Sequence, residues 1–411
     1  MKILIVSPYV PHPLAGHGGG VYIYDMIRHL STVHELTLIS FADEHERRFL
    51  PDLSPLLTDM HIVPRLKGPV RNIGTAVRLA GIRGLQFVRS IVAWEPFIAS
   101  KFRSRAMART IRELTSSQHF DIVQIEYTQM GQYARNVQSG KTVLHQIDVL
   151  LRTIQRYTSA VRSPFARAWY RLEWCRLDRF ENRMIHLHNG ITTLTQPDAF
   201  LLEWQTHNRQ VEVLSPGVDL PAPPEVHTRR DSDTLLFVGN LSQIPNDDAA
   251  IWLCTDIFPR IVAGHPTATL TIIGRLPSQD LRAAATDSRI RLLDFVEDLH
   301  PYLFRAGVFV APLRLGGGIK IKILDALAHR CPIVTTPVGR EGITGLTSAS
   351  VCVSRSAEGL ASHCIALLKD PARAADLGQK GFDVVRRNFS WGIVLDRTTR
   401  YYASLRESEY A

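Results

Sequence analysis

The chain alternates, twice over, between short uninterrupted apolar runs and helix-like segments, and that rhythm leaves few folds open to it. Lys2–Ser7 is such a run, a loop rich in proline and glycine follows from Pro8 to Gly20, Val21–Leu30 reads as a helix and Glu35–Ser40 as a second strand. Apolar strands joined by helices belong to parallel sheets covered on both faces. Asp121–Ile125, Thr142–Leu144 and Gly190–Thr195 extend the series. A proline-rich polar stretch over 214–233 has no periodicity, and beyond it the alternation restarts. Strands are expected at Thr234–Val238, Thr269–Ile273, Arg291–Leu293, Val308–Ala311 and Ile333–Thr335, with helices at Asp247–Phe258 and Lys320–His329. A chain of 411 residues exceeds one core. The expectation is an α/β protein of two doubly wound domains, 1–218 and 234–390, joined by a linker at 219–233, with a helix over 391–411 completing the first.

Charge separates these halves. The formal surplus is +9. Residues 65–112 hold eleven basic residues against the single acid Glu95, and a second stretch, Arg152–Arg183, holds eight arginines against three acids. A basic island in a balanced chain points to a local anionic partner. Arg71, Arg78 and Arg89 fall within about 20° on a helical wheel, with Val77, Ala80, Phe87, Val88 and Ile91 opposite. That face either packs on the sheet or meets an anionic membrane surface. Nucleic acid fits poorly, because base-stacking aromatics are scarce in the island. Five scattered cysteines form no disulfide framework or metal spacing. No signal-like or membrane-spanning run occurs, so a cytoplasmic chain, at most peripheral on the inner face of the plasma membrane, is expected.

Ligands of open parallel sheets bind beyond the carboxyl ends of the strands. Three such segments carry glycine. Gly16-His17-Gly18-Gly19-Gly20 fits no dinucleotide fingerprint, yet its glycines would let a ligand approach a helix N-terminus. Gly316-Gly317-Gly318-Ile319-Lys320 leads into a helix with Lys320 and Lys322 at its start. Cations there oppose the helix dipole and call for an anion; a diphosphate on glycine amides supplies one. Asp325, three residues after Lys322, could accept from ribose hydroxyls. Gly239-Asn240 ends the third strand, and Asn246, Asp247 and Asp248 read as a helix cap with first-turn acids rather than a metal site.

At these residues the sequence resembles glycosyltransferase family 4, retaining enzymes of GT-B architecture. The motifs are GHGGGVYIYDMIRHL, FDIVQIEYTQM, LLFVGNLSQIPNDDAAIWL, LTIIGR and the run 308–343. The resemblance implies two Rossmann-like domains facing a central cleft. It also implies metal-independent transfer of a hexose-type sugar from a UDP- or GDP-linked donor to a glycan or lipid-linked acceptor in surface-glycan assembly. The nucleotide sugar is a co-substrate; no cofactor is implied. The family's pair of glutamates, E-x7-E, falls on Gly317 and Asp325, so backbone around Gly316–Ile319 would meet the sugar. Phosphate-binding Arg and Lys usually follow the strand matching Thr234–Val238; this chain has Asn240 there, leaving Lys320, Lys322 and Arg275 as candidates. Val296 matches the backbone contact to the base. The family's His before Asp148 is replaced by Ile147; His145 either substitutes for it or is structural. Gly18, Gly19, Gly20 and Glu126 complete the acceptor-side candidates. Two other functions stay open: a sugar-nucleotide 2-epimerase on the same fold, and a catalytically weakened nucleotide-binding scaffold.

Overall fold

The computed structural model describes residues 1–15, 17–65, 73–151, 154, 163–207, 209–222 and 230–407, with backbone alone for 73–80, 82 and 83. The chain divides into two compact units. Unit 1 comprises Met1–Ser215 with Leu395–Ala411, and unit 2 comprises Pro216–Val394.

Unit 1 is built on seven parallel strands. They are β1 (Lys2–Ser7), β2 (Glu35–Ala42), β3 (Asp59–Pro64), β4 (Ile122–Glu126), β5 (Lys141–Gln146), β6 (Gly190–Thr193) and β7 (Glu212–Val213), in the order β3-β2-β1-β4-β5-β6-β7. Ile3, Leu4, Ile5 and Val6 are all fully buried, so the unbroken apolar run reflects cover on both faces. The helix Gly18–Leu30 presents Tyr22, Ile23, Met26, Ile27 and Leu30 to the interior at helical spacing. On the other side Leu4 and Val6 pack with Met107 and Ile111 of the helix Arg105–Ser117. The first helix begins three residues earlier than the sequence suggests. His17 caps it by accepting from the Gly20 amide, which draws Gly18–Gly20 into the first turn.

Unit 2 holds six parallel strands: β8 (Asp231–Val238), β9 (Thr269–Ile273), β10 (Ile290–Leu293), β11 (Ala306–Ala311), β12 (Ile333–Thr335) and β13 (Cys352–Val353), in the order β10-β9-β8-β11-β12-β13. Alternate residues serve opposite cores. Leu235, Phe237, Val308 and Val310 join one cluster, and Leu236, Phe309 and Ala311 the other. β8 starts within the stretch assigned to the linker, because Ala306 of β11 pairs back to Asp231. The single helix expected at 247–258 is a composite: Ile244–Trp252, a π turn over Leu253–Ile257, then Phe258–Gly264.

The final helix, Trp391–Glu407, starts among unit 2 residues and continues into unit 1. There Tyr402 is buried and donates to Gln124 Oε1 on β4. Arg406 pairs with Asp121 at 3.1 Å. Among the described residues no helix is long and apolar enough to cross a membrane.

Candidate functional site

The strand order reverses between β8 and β11 in unit 2, and the crevice at such a switch point is where open parallel sheets take ligands. The two glycine segments following those strands meet there. Gly316 and Gly318 adopt φ of 106° and 63°, which side chains disfavour, so the turn leaving β11 needs glycine. Lys320 is the N-cap of the helix Ile321–Ala328 rather than part of it. Its ammonium folds back on the turn, donating to the carbonyls of Gly317 at 2.9 Å and Gly318 at 2.6 Å.

Lys322 reaches across to the neighbouring strand. Its Nζ donates to Asn246 Oδ1 at 2.5 Å and stands 5.0 Å from the centre of the Phe237 ring. A Cβ on Gly239 would lie 2.6 Å from that nitrogen and 3.0 Å from Asn246 Cγ, so the missing side chain at 239 makes room for the amine. Burial, and then the charge of Lys320, lower the Lys322 amine to about 7. A cation held in low dielectric beside a neutral amide is a binding place for an anion.

Asn246 was expected to cap a helix. It does not: the N-cap is Gln243, and Asn246 lies in the first turn, donating to the Asn240 carbonyl at 2.9 Å while accepting from Lys322. The acids beside it are engaged elsewhere. Asp248 pairs with Arg314 at 2.6 Å, and Asp247 accepts from the Ser278 amide. The Asn240 side chain closes its own loop by accepting from Ser242. Arg275 stacks on Phe295 with 4.0 Å between guanidinium carbon and ring centre, and Val296 is half-buried in the loop after β10. Asp325 is half-buried on the helix that carries Lys322. The structure thus gathers Gly239, Lys320, Lys322 and Gly316–Gly318 around β8 and β11, and sets Arg275 and Val296 after β9 and β10.

In unit 1 the reversal falls between β1 and β4. Two acceptor-side expectations are corrected there. His145 is a core residue: Nε2 bonds the Tyr22 hydroxyl at 2.9 Å, Nδ1 bonds Thr192 Oγ1 at 2.6 Å, and burial drops it to about 3. With both ring nitrogens held by buried partners it takes the structural role, the second of the two readings open to it, and does not replace the histidine lost at Ile147. Glu126 is 0% exposed, too deep to meet a sugar; burial raises it to about 8 and Gln124 donates to one of its oxygens. Asp148 is exposed, and Gly18 is exposed at the helix start. The residues the sequence did not single out are Tyr9 and Tyr127, whose hydroxyls are hydrogen-bonded to each other beside Gly19.

The basic island is partly spent internally. Glu95 binds both Arg103 and Arg183, while buried Arg176 binds Glu173 and Ser90. Arg71 lies outside the described residues, as do the side chains of Val77, Arg78 and Ala80. The apolar face of the helix Ile73–Val92 does not pack wholly on the sheet. Leu85, Phe87, Val88 and Ile91 are exposed, Val92 is 81% exposed, and Phe87 stacks on Trp169 of the helix Pro164–Leu187, where Phe165 is 87% exposed.

Both units carry the sheets of GT-B glycosyltransferase structures. The chain superposes with a TM-score of 0.71 on sucrose-phosphate synthase from Thermosynechococcus elongatus, at 16% identity over 99% of this chain and all of that one. For Anabaena Alr3699/HepE in complex with UDP the score is 0.67, at 12% identity over 98% of this chain and all of that one. Residues 232–370, within unit 2, match the family Glycosyl transferases group 1. A protein of the cps region of Klebsiella pneumoniae, of 44.6 kDa and uncharacterized, is 25% identical over 94% of this chain and 96% of its own length. The GDP-mannose-dependent monoacylated alpha-(1-6)-phosphatidylinositol monomannoside mannosyltransferase of Corynebacterium glutamicum is 31% identical over 36% of this chain and 42% of its own.

Proposed function

We propose that the protein is a retaining, metal-independent glycosyltransferase of family 4. It moves a hexose-type sugar from a UDP- or GDP-linked donor to a glycan or lipid-linked acceptor. The observation that carries this is the Lys322 amine, held over Phe237 by Asn246 in the space vacated by Gly239. The family's phosphate-binding cation is missing after β8, and Lys322 delivers one there from the helix after β11. In this reading the diphosphate rests against the Gly316–Gly318 turn, and Lys320 exchanges its carbonyl partners for phosphate oxygens. Asp325 accepts from the ribose, Ile319 and its neighbours meet the sugar through backbone, and the loop at Val296 holds the base, with Arg275 and Asn240 at its margins. As the sugar–phosphate bond breaks, negative charge grows on the leaving diphosphate, and preplaced ammonium groups lower that barrier most. Retention follows if the leaving phosphate takes the acceptor's proton on the same face. A 2-epimerase would need acids and histidines open to substrate, and the burial of Glu126 and His145 counts against it.

Substituting Lys320 or Lys322 with alanine should cut transfer at least tenfold, about 1.4 kcal/mol, in a screen of UDP- and GDP-linked sugars. Unchanged rates in both would refute the assignment, and nucleotide binding without turnover of any donor would favour the scaffold. The exposed apolar side chains at 85–92 and Phe165, beside exposed Arg89, Arg167 and Arg171, support contact with an anionic membrane surface. Flotation with vesicles containing phosphatidylglycerol should fall as salt rises; salt-independent or absent binding would remove this part.

A further inference from the structure

The donor-side reading leaves unused the phenols at the switch point of unit 1. Tyr9 follows β1 and Tyr127 follows β4, the strands between which the order reverses. Tyr9 donates to Tyr127 through their hydroxyls. The pair occupies the place a side chain would take at Gly19: a Cβ there would stand 1.8 Å from Tyr127 Oη and 2.6 Å from Tyr9 Oη. Glycine at 19 is what lets both phenols reach the first turn of the helix Gly18–Leu30. Tyr127 holds φ 68° and ψ 147°, a combination left almost wholly to glycine, so the chain keeps a bulky aromatic where glycine would be easier. Asp148, exposed beyond β5, adds its charge to burial in keeping both hydroxyls protonated. The His17 ring meets Tyr9 edge-on at 4.2 Å. Neutral phenols both donate and accept, and a carboxylate accepts; this combination suits hydroxyl groups and repels phosphate.

We propose that Tyr9 and Tyr127, with Asp148 beside them, hold a hydroxyl of a sugar-bearing acceptor. The inference rests on the glycosyltransferase reading and adds the residues that position its second substrate. No bond is made or broken at these side chains; the phenols orient the hydroxyl, and Asp148 selects for a neighbouring one.

The test uses the full chain with methyl α-glucoside, methyl α-mannoside and methyl α-galactoside as probes, followed by saturation-transfer NMR, with UDP and GDP titrated in parallel. At least one glycoside should bind the wild type. Tyr9→Phe and Tyr127→Phe should each weaken it about fivefold or more, as loss of one hydrogen bond predicts, while nucleotide affinity stays within about twofold. Asp148→Asn, at an exposed residue, should weaken the glycoside as well. Equal glycoside binding by wild type and all three variants overturns the proposal, and so does a wild type that binds nucleotide but none of the glycosides. A wild type that binds neither nucleotide overturns the underlying reading and the inference with it.

Discussion

Replacing Lys322 with methionine tests the donor side through stability and binding together. The unbranched stem keeps its packing, while the charge and the hydrogen bond to Asn246 Oδ1 are lost together. In the native chain the amine is lowered from 10.5 to about 7, by burial and then by Lys320. At about 1.4 kcal/mol per pH unit that drop amounts to ~5 kcal/mol, which the partial exposure of the residue screens to roughly 2 kcal/mol. The sign follows from proton counting. Between pH 7 and 10.5 the unfolded chain binds more protons at this position than the folded one, so stability rises with pH across that window. The penalty is therefore full below pH 7 and gone near pH 10.5. The melting point of Lys322→Met relative to wild type should be higher at pH 6.5 than at pH 10.5 by roughly 4–8 °C for a unit of this size, on top of a pH-independent cost of about 1 kcal/mol for the lost hydrogen bond to Asn246. The same variant should bind UDP and GDP at least tenfold more weakly at pH 6.5, and wild-type affinity should itself decline above pH 7 as the free amine loses its proton. Calorimetric melts across pH, with nucleotide titrations on the same samples, decide it. A melting difference that does not change between pH 6.5 and 10.5, or a variant that binds nucleotide equally well, refutes the reasoning.

Three further outcomes are expected. Gly239→Ala sets a Cβ 2.6 Å from the Lys322 nitrogen; the flexible amine can move away, so melting should change little while nucleotide affinity falls about tenfold, read by titration. Glu126→Gln removes a carboxyl that burial holds near 8; because the folded chain binds more protons between pH 4.5 and 8, wild-type stability falls across that window, and the variant should melt higher at pH 9 and about equally at pH 4.5. Under the proposed mechanism, in which ammonium groups supply the charge that a metal would supply elsewhere, chelation with EDTA should leave transfer rates within about twofold; loss restored by magnesium would contradict it.

The strands were the most legible part of the sequence, because burial on both faces writes them as continuous apolar runs; Lys2–Ser7, Thr269–Ile273 and Ile333–Thr335 match residue for residue. Edge strands β7 and β13, of two residues each, leave no such run. The proposed anion site was half legible. Glycines before Lys320 and Lys322 announce it locally, whereas the partner of Lys322 lies 76 residues away in sequence. Asn246 fitted a helix cap equally well by type, and a preceding proline had already shifted the helix start to Ile244. On the acceptor side, strand spacing sets His145 on the same side as Ile147 but does not tell whether that side is core or crevice, and the Tyr9–Tyr127 contact spans 118 residues with no local signature.

The last helix has a consequence for the order in which the chain can fold. Unit 1 needs Tyr402 against Gln124 and Arg406 against Asp121, yet these residues are synthesised after all of unit 2. Unit 2 is one uninterrupted segment, and it can close as soon as it leaves the ribosome. Unit 1 must wait with its sheet uncapped for the roughly 10–40 s that translation of the intervening segment takes. The usual amino-to-carboxyl sequence of domain completion is inverted in this protein. A released chain ending at Val394 should therefore protect unit 2 from protease while leaving β4 and β5 open to cleavage.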